Sequence, residues 1–372
     1  MRIMKKFLIL AAAVAATVAC SKVETPSGDV QKEIRFEVAN SLTKATGSVY
    51  DNGAFGSYAW FNNTDDFMVN EQVDKSGGVW KTVDHTFYWP KTGSISFISY
   101  SPFEGTSDTA GSVPAITKNS ITYTGYTAGT TDLMYADKAT CSANVNEVTD
   151  SDSNDSNFSG VPTVFRHALA KLSFKIKANF VEYTAATTNT TTKWEVTVTS
   201  AKISGFKTTG NCALALNGDG KSWDKPVTTV GSTDYNVWTN LSGATGDQEL
   251  IDATTYPSGV VLTTTAQDIA PAAGFVMPQV LEAGAQILKL AIHIKTTLSN
   301  GKTIEEDFNP TLNLKDISNL KAWQMNENIV YTINIKPVAY VSDYDTPNDV
   351  IITFDPAVAD WSDVNASGTI QF

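Results

Sequence analysis

The feature that most narrows what this chain can fold into is a strict alternation of apolar and polar residues in its second half. Trp194, Val196 and Val198 alternate with Glu195, Thr197 and Thr199. Leu288, Leu290, Ile292 and Ile294 alternate with Lys289, Ala291, His293 and Lys295, and Ile329, Tyr331, Ile333 and Ile335 with Val330, Thr332, Asn334 and Lys336. A period of two puts every second side chain on one face, which a strand satisfies and a helix does not. One apolar and one wet face is the habit of antiparallel sheets. Only Ser318 to Asn326 hints at a helical turn. The fold class is therefore all-β.

The first half reads the same way with shorter strands. Between Tyr58 and Tyr135, runs such as Ser94–Tyr100 and Ser120–Thr124 are separated by turn clusters such as NNTDD, DKSGG and KTGS, a spacing that predicts a sandwich. From Thr163 the chain runs TVFRHALAKLSFKIKANF. Phe165, His167 and Leu169 share one parity, but Leu172, Phe174 and Ile176 take the other. A strand cannot change its buried face without a bulge or a new packing partner, so a domain boundary is expected near Ala168–Lys171. A chain of 372 residues also exceeds one hydrophobic core. The expected units are residues 45–169 and 170–372, preceded by a signal peptide (1–19) and a propeptide (20–44).

The start is MRIMKKFLILAAAVAATVACSK: basic residues, an apolar run from Phe7 to Val18, then Ala19-Cys20. A run of twelve residues, apolar but for Thr17, is too short to span a bilayer, where about 20 are needed, and the pattern is that of a secretory signal. Ala19-Cys20 resembles the lipobox of bacterial lipoproteins, with Thr17 where Leu is usual, so lipidation at Cys20 is the reading and an ordinary signal peptide the alternative. Lipidation of Cys20 would anchor the chain through several acyl chains. Without residues 1–19 the chain keeps 24 Lys+Arg against 39 Asp+Glu, a net charge of −15. That excess argues against nucleic acid as a partner. Cys141 and Cys212 are either a disulfide or two buried thiols.

Downstream, QKEIRFEVANSLTKA (residues 31–45) reads as a strand with Ile34, Phe36 and Val38 on its apolar face, followed by a polar tip in which Lys44–Ala45 is open to proteolysis. Read as an edge strand, its removal by a cut after Lys44 would expose an apolar groove for another chain's strand. The far end offers a candidate donor: Val350, Ile352 and Phe354, and then Ile370 and Phe372, alternate as a strand does. Such a segment either closes its own sheet or enters a neighbour's groove.

No catalytic chemistry is legible. HExxH, paired CxxC, GxSxG and Gly-rich phosphate loops are absent. Ser41–Lys44 matches SxxK and Lys91–Gly93 matches KTG, but no SDN accompanies them. Asp150, Asp152 and Asn154 fit the first ligands of a calcium loop, while Asp155 and Val161 stand where Gly and Glu are required, so a solvated loop is the reading. No metal, cofactor or enzymatic activity is expected. Trp60, Trp80 and Trp89 are core aromatics, with a sugar-binding platform as the alternative.

Taken in order, the lipoprotein start, IRF followed by TKA, YWPKTGSISFISYSP, TDLMYADKA, FRHALAKLSFKIKA and ITFDPAVADW make the chain resemble the fimbrillin family, FimA-like and Mfa-like subunits of type V pili. The resemblance implies two tandem transthyretin-like β-sandwich domains, export to the outer membrane as a lipoprotein, cleavage after a basic residue, and polymerisation by donor-strand exchange into a cell-surface fimbrium that supports adhesion. In the best-known members the cut follows Arg; the matching position here is Lys44. The implied partners are further copies or related pilus subunits, the outer membrane through the lipid, and a host or bacterial receptor of unknown identity. A lipid-retaining anchor or accessory subunit and a glycan-binding surface lipoprotein are the alternatives.

Overall fold

The computed structural model describes residues 33–40, 50, 52–105, 113–136, 138–142, 160–179, 181–184, 189–216, 238–269, 274–317, 320–337 and 350–360. The first half contributes β1 (Phe36–Asn40), β2 (Phe55–Phe61), β3 (Asp65–Ser76), β4 (Val79–Thr82), β5 (Ser94–Ser101), β6 (Ala115–Thr117), β7 (Ser120–Thr127), β8 (Met134–Ala136), β9 (Ala139–Ser142) and β10 (Val161–His167). The second half opens with β11 (Ala170–Ala178), β12 (Glu182–Thr184), β13 (Thr191–Ser204), β14 (Thr209–Ala215), β15 (Trp238–Ser242), β16 (Gln248–Glu249), β17 (Val260–Val261) and β18 (Gln267–Asp268). It continues with β19 (Gly274–Val276), β20 (Gln279–Val280), β21 (Ile287–Thr297), β22 (Thr303–Phe308), β23 (Thr311–Asn313), helical turn α1 (Leu314–Ile317), β24 (Ala322–Trp323), β25 (Glu327–Pro337) and β26 (Val350–Asp360).

In the first half the strands follow the order β2-β3-β4-β1-β10-β8-β5, and β5 pairs back onto β2, so the two layers join edge to edge into a closed ring. Closure removes free edges. Inside lie Phe36, Phe55, Phe97 and Phe165 with Ile34 and Ile95. Phe36 meets Phe55 and Phe97 edge-on, with centroids 5.6 and 5.8 Å apart, the arrangement aromatic quadrupoles favour.

The second half is a sandwich. One sheet has β25 between β11 and β26; the other is built on β13 and β21, which run antiparallel with a bulge between Val198 and Ser200. The alternating residues turn inward as expected: Val196, Val198, Leu290, Ile292, Ile329 and Ile333 are all buried in one core. β25 departs from the antiparallel expectation on one side, since it runs parallel to β11 and antiparallel to β26. The helical turn also lies upstream of the expected place: α1 covers Leu314–Ile317, while Ala322–Trp323 pairs with Gln279–Val280.

The parity change proves to be a change of packing partner. β10 leaves the ring at His167, β11 joins the sandwich at Ala170, and Ala168 and Leu169 between them are fully buried in a third core. That core lies against a four-stranded sheet, β15-β14-β7-β6, which draws β6 and β7 from the first half and β14 and β15 from the second. Tyr123, Cys212 and Trp238 fill it, and the Trp238 indole N–H donates to the Ala168 carbonyl at 2.7 Å.

Candidate functional site

The sequence places its candidate groove at the strand carrying Ile34, Phe36 and Val38. Ile34 and Phe36 are 1% and 4% exposed, and Val38 is half-buried against the ring's core. The position differs from the edge strand expected. β1 lies between β4 and β10, inside the ring. Alternation reports which face is buried and says nothing of how many neighbours a strand has, so an interior strand reads like an edge.

β1 runs parallel to β10 in a five-residue register from Phe36↔Val161 to Asn40↔Phe165. The Val161 N–H donates to the Arg35 carbonyl at 2.7 Å. Gly160 makes this approach possible, because a Cβ there would lie 2.5 Å from that carbonyl oxygen. On the other side the Ile34 N–H donates to the Phe87 carbonyl at 2.8 Å, and Glu33 bridges Tyr88. With β4, however, β1 pairs at Phe36↔Trp80 alone. Beyond that pair a cleft of about 250 Å³ opens between Arg35–Val38 and the β3–β4 hairpin, lined there by Lys75, Gly78, Val79 and Trp80. The Lys75 ammonium sits 5.9 Å from the Trp80 ring, a cation–π distance.

Of the remaining candidates, Val350, Ile352 and Phe354 fall in β26, whose eleven residues pair antiparallel with β25 from Val350↔Pro337 to Asp360↔Glu327. Among the described residues β26 has β25 as its single neighbour and forms the rim of the sheet. Cys20, Lys44, Ala45, Ile370 and Phe372 lie outside the described residues, as do Ser41 and Asp150–Asp155 of the SxxK and calcium-loop matches. Val161, at the last calcium-ligand position, is a buried strand residue of β10.

Cys212 is a free buried thiol in the third core, while Cys141 is buried in the ring, so the two do not pair. Burial pushes the Cys212 thiol well above its ordinary range. Trp60 packs into the third core, and Trp80 and Trp89 pack against the ring's core. Among the described residues no tryptophan is an exposed large apolar side chain. The histidines each meet one carboxylate: His85 meets Glu71 at 3.0 Å, His293 meets Asp307 at 2.9 Å, and His167 meets Asp132. The Glu71 hydrogen bond and charge raise the His85 pKa. Among the described residues no group of three acidic, histidine or cysteine side chains is placed to hold a metal ion.

Comparison with known proteins bears on this geometry. The fimbrillin-like family profile matches residues 43–361. No curated protein matches the chain. A fimbrial protein from Bacteroides vulgatus of known crystal structure shares the fold, with a TM-score of 0.55 at 15% identity over 89% of this chain and 99% of its own. The fimbrial anchor protein Mfa2 from Porphyromonas gingivalis aligns over 91% of this chain and 100% of its own, at 11% identity and a TM-score of 0.29. With its profile match running over most of its length, the chain belongs to the fimbrillin-like family.

Proposed function

We propose that this protein is a structural subunit of a cell-surface fimbrium supporting adhesion. It is exported as a lipoprotein through Cys20, matured by a cut after Lys44 and polymerised by donor-strand exchange. The observation that carries the reading is the placement of β1. The stretch from Ile34 through β1, ending at Asn40 four residues before Lys44, supplies two buried side chains to the ring, Ile34 and Phe36. Burying Ile34 and Phe36 contributes about 1.5–3 kcal/mol each. While the chain is intact this contact is intramolecular. Once the chain is cut, rebinding costs roughly 4–15 kcal/mol of lost translational and rotational freedom, so residues 20–44 become exchangeable for another strand. The family and the shared fold with a fimbrial protein support the same reading.

The test is the N-terminus and intact mass of the protein recovered from its native cell surface. Ala45 as first residue is expected. Lipid-modified Cys20 in all of the material refutes the polymerising subunit and leaves an anchor or accessory subunit.

A further inference from the structure

Tyr50 belongs to the ring's core but not to the segment that a cut after Lys44 removes. It lies six residues beyond that lysine and is 6% exposed. Its ring stands between the two strands that flank β1. It stacks on Phe165 of β10, with centroids 4.7 Å and planes 20° apart, and meets Trp80 of β4 edge-on at 5.4 Å. Strands with one strand between them lie about 9.5 Å apart, a gap that one aromatic ring touching both sides can fill. The phenol is held from its far end. Its hydroxyl shares a 2.6 Å hydrogen bond with Ser101 Oγ at the end of β5, and Asn52 Nδ2 donates to the same Oγ at 2.8 Å and to the Asp132 carbonyl at 2.9 Å. None of these partners is in β1.

Resting on the strand-exchange reading above, we propose that Tyr50 is the spacer of the β1 slot, a positioning residue that holds β4 and β10 one strand apart once residues up to Lys44 are gone. An emptied slot leaves two unpaired edges facing each other, and such rows of N–H and C=O groups are templates for pairing. Closure of β4 on β10 would shut the ring over a smaller core and leave no place for a strand. The Tyr50 ring blocks that movement, because it lies between Trp80 and Phe165 and is tied through Ser101 to β5, which pairs with neither wall.

The consequence is preorganisation. A slot kept at strand width costs an entering strand less ordering than one that must first be reopened. The departing strand and the retained spacer meet at one residue: Asn40, the last of β1, pairs with Phe165, and Tyr50 stacks on that same side chain. Loss of β1 therefore uncovers the ladder edge at Phe165 while its ring stays packed.

The experiment uses the full chain with a specific protease sequence inserted between Lys44 and Ala45, cut and then freed of its N-terminal fragment by size-exclusion chromatography. Rebinding of a synthetic peptide of residues 31–44 is followed, with association and dissociation rates measured separately. Tyr50→Leu keeps an apolar side chain too short to touch both walls, and Tyr50→Phe keeps the ring but loses the Ser101 bond. Val73→Ala removes buried volume from the same core on β3, which does not border the slot. All three are checked for cooperative melting before the cut. Tyr50→Leu is expected to slow association about tenfold, as binding that waits on a conformational change does, while Tyr50→Phe and Val73→Ala stay within about twofold of the unsubstituted chain. A Tyr50→Leu chain that melts cooperatively before fragment loss but not after it, where Val73→Ala survives both, carries the same conclusion. Association of Tyr50→Leu at the rate of Val73→Ala, or loss of cooperative melting in the emptied unsubstituted chain, overturns the spacer. A fragment that never leaves the cut, unsubstituted chain refutes strand exchange itself, and the spacer with it, since the slot is then never empty.

Discussion

Replacing Phe36 by alanine asks directly whether β1 belongs to the ring's core. The Phe36 side chain is 4% exposed and held edge-on by Phe55 and Phe97. Truncating a buried Phe to Ala costs about 3–5 kcal/mol, the transfer free energy plus the cavity left behind. At about 2–4 °C per kcal/mol for a unit of this size, the ring's unfolding transition should fall by about 6–20 °C. Arg35→Ala is the internal control. Arg35 stands on the opposite face, its side chain 52% exposed, paired with Glu33 at 3.3 Å, and an exposed pair of this kind contributes about 0–1 kcal/mol. Both variants are compared with the full chain in thermal and urea denaturation. A loss below about 1 kcal/mol for Phe36→Ala, or equal losses for both, refutes β1 as a core strand, since large costs come from buried truncations and surface changes are usually within about 0.5 kcal/mol. The donor-strand account would fall with it.

Trp238→Phe removes the indole donor that satisfies the Ala168 carbonyl at the junction; leaving that buried acceptor unpaired should cost about 1–3 kcal/mol, read by urea denaturation, and an unchanged midpoint would show the bond to be dispensable. Burial also raises the phenols of Tyr123 and Tyr126 above their usual value of 10.0. Above that pH the unfolded chain gives up protons that the folded chain keeps, so stability falls as pH rises past 10 towards the raised folded values. Because the Tyr123 hydroxyl is buried without a hydrogen-bond partner, Tyr123→Phe should hold or gain stability at pH 7 and lose less between pH 9 and 11; an unchanged alkaline loss would contradict this.

The sequence shows burial well and partnership poorly. Period two named the inward faces of β13, β21 and β25, and the parity change falls at Ala168 and Leu169, between β10 and β11. Both signals depend on each residue's own environment. Pairing depends on what lies across the ladder, and here that is remote: β7 pairs with β14 more than eighty residues on, and β1 with β10 more than a hundred and twenty. Parallel and antiparallel neighbours also bury the same face of a strand, so the parallel β1–β10 and β11–β25 pairs left no trace in the pattern. The same limit hid the interior position of β1, although Ile34 and Phe36 were legible as its buried residues.

The third core decides how the two halves can move. A two-residue connection in isolation would be a hinge, but Ala168 and Leu169 have no free rotation to offer. The Ala168 N–H donates to the Leu133 carbonyl, its own carbonyl accepts from Trp238, and the Leu169 carbonyl accepts from the Asn326 N–H. Either side of them, β7 is laddered to β14 from Ile121↔Leu214 to Thr127↔Thr209. Changing the angle between ring and sandwich therefore means unpacking Trp238 and Tyr123 from a close-packed interior, where even small displacements lose contacts. In a fimbrium built as proposed, tension passes between the β1 slot in the ring and β26 at the rim of the sandwich sheet. It must cross this junction, and it meets a packed core there in place of a flexible linker.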